Sequence, residues 1–152
     1  MSEIKYLADT AVQTVIDDGA SLTDGSRAAG DYDNSTELDL EAIAYLTVQF
    51  DGGPPTAGDR VADLYILPGD GAGTEVFPDG GDAGLGTDDT PQARWYVGSF
   101  ETVNPSTTVD ETLAIPVPLY PDGNRFVLLN TSGQTMDSTW QLDIKPIKRQ
   151  VV

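Results

Sequence analysis

Thr112-Leu-Ala-Ile-Pro-Val-Pro-Leu-Tyr120, Asn124-Arg-Phe-Val-Leu-Leu-Asn130 and Thr139-Trp-Gln-Leu-Asp-Ile-Lys145 lie in the C-terminal quarter of the chain, Glu111–Ile147. Pro121-Asp122-Gly123 separates the first two, and Thr131-Ser132-Gly133 follows the second. The stretch reads as three consecutive β-strands joined by two sharp turns. In the first strand Leu113, Ile115, Val117 and Leu119 fall on one face by period-2 alternation. Pro116 and Pro118 are two apart, so their missing N–H groups lie on one side of the strand. A proline cannot donate to a ladder, so this strand is expected at an edge with one side closed. Such closure guards a sheet against edge-to-edge aggregation. Phe126-Val-Leu-Leu129 is continuously apolar, which predicts a strand covered on both faces. The last strand alternates, with Trp140, Leu142 and Ile144 in and Gln141, Asp143 and Lys145 out.

Working outward, the same pattern recurs. Asp9–Ile16 is a short alternating segment, either a strand or an arm. Ser26–Ala29 is a weaker strand candidate, and Asp31–Thr36 has the composition of a loop. Glu41-Ala-Ile-Ala44 has helical propensity, but Ala44, Leu46, Val48 and Phe50 alternate as the inward side of a strand. Arg60–Leu67 is the next strand, with Leu64 and Ile66 facing the core. Pro68–Pro91 is rich in Gly, Asp and Pro and reads as a long loop. Arg94–Phe100 returns to β, and Gly98 is expected to mark a bulge or close packing. About eight short strands with turn-punctuated spacing predict an all-β fold, an antiparallel β-sandwich. Residues 1–20 read as an N-terminal arm or first strand, and residues 21–152 as a single sandwich domain. At 152 residues, such a domain buries roughly 70% of its unfolded surface and needs no staples.

The composition narrows the function. There is no Cys and no His, which removes thiolate chemistry, Cys-based zinc sites and every His-assisted nucleophile. The net charge is -17, which argues against a phosphate-binding surface for nucleic acid. No apolar run approaches the roughly 18 residues of a membrane helix. The N-terminus lacks a charged region followed by an apolar run, so no signal peptide is expected. Asp clusters in turns, and no Lys or Arg occurs between Ala28 and Asp59 or between Val61 and Ala93. Lys145, Lys148 and Arg149 gather near the C-terminus.

Few constellations carry chemistry. Asp31-x-Asp33-x-Ser35 starts like a calcium loop, but Thr36 stands at the required Gly and Ala42 at the bidentate Glu. Asp79, Asp82, Asp88 and Asp89 could hold Ca²⁺ through loop carboxylates and carbonyls, and turn formation explains the same residues. No carboxylate pair is marked out for glycoside hydrolysis. Gly71-x-Gly73 precedes no helix and is no phosphate cradle. No catalytic residue and no obligatory cofactor are expected. Trp95 and Tyr96 are adjacent, so in a strand one faces away from the side that buries the other. That outward aromatic is an interface candidate.

The order of the motifs resembles small virion-associated proteins of tailed phages and prophages, which have jelly-roll-like sandwiches. Pro54-Pro-Thr-Ala-Gly58 precedes Asp63-Leu-Tyr-Ile-Leu-Pro68, then Gly69-Asp-Gly71 and Tyr96-Val-Gly-Ser-Phe100. The Pro-rich strand, Arg125–Asn130, Ser132-Gly133 and the terminal strand close the series. The resemblance spans Ala44–Val152 and implies a jelly-roll-like particle component made in the host cytoplasm. It implies a capsid decoration (cement) protein, with the major capsid protein as partner and a homotrimer as its own assembly. The N-terminal arm and Lys145, Lys148 and Arg149 are then the attachment elements. The alternative is a glycan- or receptor-binding module at the tail or collar.

Overall fold

The structure is a computed structural model that describes residues 4–8, 11–17, 19–36, 39–69 and 93–151, with backbone alone for 4–8 and 148–151. Along the described chain run β1 (Ile4–Ala8), β2 (Gln13–Ile16), β3 (Arg27–Asp33), β4 (Glu41–Val48), β5 (Phe50–Asp51) and β6 (Arg60–Gly69). They are followed by β7 (Tyr96–Glu101), β8 (Glu111–Pro118), β9 (Gly123–Asn130), β10 (Thr135–Met136) and β11 (Gln141–Val151). A 3₁₀ turn, Ala93–Trp95, leads into β7.

The pairing is that of a long hairpin rolled up. β1 and β2 pair with β11, β3 with β9, β4 with β8 and β6 with β7, all antiparallel. Rolling brings β11 against β4 and β9 against β6. One sheet then runs β1/β2–β11–β4–β8 and the other β3–β9–β6–β7. First with last, second with second-last and so on inward is the jelly-roll topology of two Greek keys. The fold is therefore an antiparallel β-sandwich of the jelly-roll kind. The short β5–β10 pair lies outside both sheets.

The core lies between the sheets. β4 alternates along its whole length, and Ala42, Ala44, Leu46 and Val48 are its buried side. The helical propensity of Glu41–Ala44 loses to this alternation, because both flanking strands need a ladder partner. Facing β4 are Ala62, Leu64 and Ile66 of β6 and Phe126 and Leu128 of β9, all in the same core cluster. Trp140 is buried just before β11, and its Nε1–H donates to the Ala20 carbonyl at 2.8 Å.

The proline strand, β8, is an edge. The Leu119 N–H donates to the Leu40 carbonyl at 3.0 Å, continuing the β4–β8 register. Odd residues thus bond towards β4, and Pro116 and Pro118 close the outward side. β9 is covered on both faces, as its apolar run predicts. Phe126 and Leu128 join the main core, while Val127 joins Tyr65 and Leu67 in a second cluster.

Two expectations need correction, and one left open is decided. Asp31–Asp33 is strand rather than loop, because β3 pairs with β9 down to Asp33↔Gly123 and the Tyr32 ring is buried in the core. Of the two readings of the N-terminal segment, arm or first strand, Ile4–Ala8 takes the strand, hydrogen-bonded to β11. Trp95 belongs to the 3₁₀ turn, not to a strand, so strand alternation with Tyr96 does not govern it. Gly98 does both things expected of it. The β6–β7 register shifts beside it, and a methyl there would sit 3.1 Å from Ile115 Cδ1.

Candidate interaction surface

The two chain ends meet in one ribbon. β1 runs antiparallel to the end of β11, with Ala8↔Ile147, Leu7↔Lys148, Tyr6↔Arg149, Lys5↔Gln150 and Ile4↔Val151. On the other side of β11 the ladder with β4 stops at Glu41↔Ile147. The next residue on that side, Asp39, has its N–H and its carbonyl bonded to the Asn34 side chain instead. From Lys148 to Val151, β11 therefore has β1 on one side and no described strand on the other. Lys145 stands one step inside, opposite Ile43, half-buried and in no ion pair among the described residues. Lys5, Lys145, Lys148 and Arg149 are four of the chain's eight basic residues.

The stop of β4 leaves a cleft of about 270 Å³ lined by Glu41, Ile43, Pro116, Pro118 and Ile147, among others. It lies at the outer face of the first sheet. Ile43, Pro116 and Ile147 make it apolar, and the prolines give it a rigid wall.

The second sheet carries an aromatic cluster on its outer face. Tyr65, Leu67 and Val127 are buried, and Trp95 and Leu129 pack against them. Tyr96 is 43% exposed and meets Tyr65 edge-on at 5.7 Å between ring centroids. The Arg94 guanidinium lies 4.7 Å from the Trp95 ring centroid, in cation–π range. Beside the rings, the buried Asp63 accepts a 2.6 Å bond from Ser99 Oγ and is paired with Arg60. The Tyr96 hydroxyl reaches Ser99 Oγ at 2.7 Å. Burial pushes the Tyr65 phenol above its ordinary pKa, and the Asp63 carboxylate adds to the shift. A second cleft, of about 310 Å³, opens between the β7 and β8 edges along Phe100, Val103, Leu113 and Ile115.

The residues singled out from sequence thus fall on two separate surfaces. Lys145, Lys148 and Arg149 share β11 in the first sheet, whereas Trp95 and Tyr96 sit on the outer face of the second. Tyr96 is the outward aromatic. Asp79, Asp82, Asp88 and Asp89, the calcium candidates, lie outside the described residues, as does Glu75–Phe77. Among the described residues no group of three or more carboxylates is placed to hold a metal ion. Sequence reasoning pointed to Tyr65 among the candidate aromatics and missed Leu67 and Asp63. The available signal was Leu64-Tyr-Ile-Leu67, an unbroken apolar run like Phe126–Leu129 of β9 and equally diagnostic of two covered faces. No described helix is long and apolar enough to cross a membrane.

No family model and no curated protein matches this sequence. Among solved structures the chain is similar to the CBM35 from Cellvibrio japonicus Abf62, at 14% identity and a TM-score of 0.41, over 98% of this chain and 97% of that one. A likeness at that level assigns nothing. The jelly-roll assignment stands on the strand order.

Proposed function

We propose that this chain is a non-catalytic virion structural protein of a tailed phage, a decoration protein that binds the capsid shell without covalent linkage. One observation carries the reading: both chain ends form a single ribbon in which positive charge is concentrated. Ile4–Ala8 and Ile147–Val151 hold Lys5, Lys148 and Arg149 and no acid, a net +3 against -17 for the whole chain, which leaves -20 for the rest. A body of one sign with a small patch of the other suits attachment at one end and repulsion elsewhere. On this reading the ribbon's partner is the major capsid protein. The outward face around Tyr96 is left for contacts between copies, for which a trimer is the expected assembly.

The test is charge reversal. K145E, K148E and R149E combined should lower occupancy on particles stripped of the protein, most strongly at low salt, with thermal stability retained. Unchanged occupancy would remove the ribbon from the attachment. A second reading has its own observation. The half-exposed Tyr96 beside Trp95 could stack a sugar ring in a tail- or collar-borne glycan module. Tryptophan fluorescence that responds to host-surface glycans would favour it.

A further inference from the structure

We infer that the open side of β11, from Lys148 to Val151, receives an extended acidic segment of a partner protein as an added strand. The inference rests on the reading of the ribbon as the attachment element and names what attaches there. β4 stops at Glu41↔Ile147, yet β11 continues for four residues with β1 as its one neighbour among the described residues. Its backbone groups facing the β4 line have no described ladder partner, and such an edge is a template for strand addition. The other edge of the same sheet is closed by Pro116 and Pro118.

The charges select the occupant. Lys148 and Arg149 lie on the open stretch itself, and Lys5 is opposite Gln150 on the neighbouring strand. Edge-to-edge pairing of two copies would bring like charges side by side, which opposes it. An acidic strand gains from the same residues. The cleft lies where β4 ends, so a strand laid in line with β4 places an apolar side chain beside Ile43, Pro116 and Ile147. The occupant is thus an extended segment alternating acidic and apolar residues.

The probe is an acetylated eight-residue peptide alternating Glu and Val, with a Lys/Val peptide as its control. Titrated into the ¹⁵N-labelled full chain, the Glu/Val peptide should perturb the amides of Lys148–Val151 and of Glu41. Fluorescence anisotropy should show binding at least tenfold weaker for K148E/R149E, and no binding by the Lys/Val peptide. Equal binding of both peptides, perturbations confined elsewhere, no binding at millimolar peptide, or preference for a single-stranded oligonucleotide would each overturn the inference. These outcomes are independent of the particle. A failed peptide titration with normal shell occupancy removes the strand-addition inference alone, and the reverse removes the decoration reading.

Discussion

Asn130 ties three parts of the chain together. It is fully buried, its Nδ2 donates to the Leu22 carbonyl at 2.7 Å and the Gln134 carbonyl at 2.8 Å, and its Oδ1 accepts the Ser132 N–H at 2.9 Å. This fixes the Thr131–Gly133 turn against the chain leaving β2. Asn130→Ala removes all three bonds. The Leu22 carbonyl keeps the Met136 N–H and the Gln134 carbonyl keeps Ser132 Oγ, but the Ser132 N–H loses its acceptor, so the change should cost about 1–3 kcal/mol in urea unfolding. A loss below about 0.5 kcal/mol would contradict it. Asp33 works at the surface instead. Ser35 bonds to its carboxylate through Oγ at 2.6 Å and N–H at 2.9 Å, and the hydroxyl bond is the main reason its pKa lies below the usual carboxylate value. The ionised form is the bonded one, so this support of the turn is present at neutral pH and is lost as pH falls through the lowered pKa. Ser35→Ala should move the Asp33 pKa back up in an NMR titration, and an unmoved value would contradict the assignment. Neither role was legible in sequence. Asn and Ser suit any turn, and the contact from Asn130 to Leu22 spans 108 positions.

At the scale of the element, the proline strand was the most legible part of the chain. Parity alone placed Pro116 and Pro118 on one side, and the register confirms which side. Replacing both by Val restores two outward N–H groups to β8. The double variant should keep its melting temperature within a few degrees and self-associate at high concentration in light scattering. A monodisperse variant would show that the edge needs no closure. Strands with strict alternation or unbroken apolar runs were equally legible, as β4 and β9 show. β3 was not, because Arg27-Ala-Ala-Gly-Asp-Tyr-Asp33 is poor in strand formers. It is held by β9 and by the approach of β2. A methyl on Gly30 would collide with the Val15 carbonyl. Trp95 was misread for a related reason: the chain reaches β7 through a 3₁₀ turn, and no local residue announces it.

At the scale of the whole molecule, the sequence predicted a sandwich but could not supply the pairing of first strand with last. That pairing depends on contacts across the full chain length. It changes the functional picture. An N-terminal arm and a basic C-terminal tail, separate in sequence, are one ribbon at one end of the sandwich. The aromatic cluster under Trp95 and Tyr96 lies on the other sheet, so the proposed attachment and the proposed self-contact use different surfaces. The central claim is that the ribbon fastens many copies of this chain to a capsid shell. Copy number tests it most directly, by densitometry of a stained gel of purified particles from the phage or prophage that encodes the chain, calibrated against the major capsid protein. The account predicts copies on the order of hundreds per particle, as a repeating shell interface requires. A few copies, or a few dozen, would contradict it and move the protein to the tail or collar.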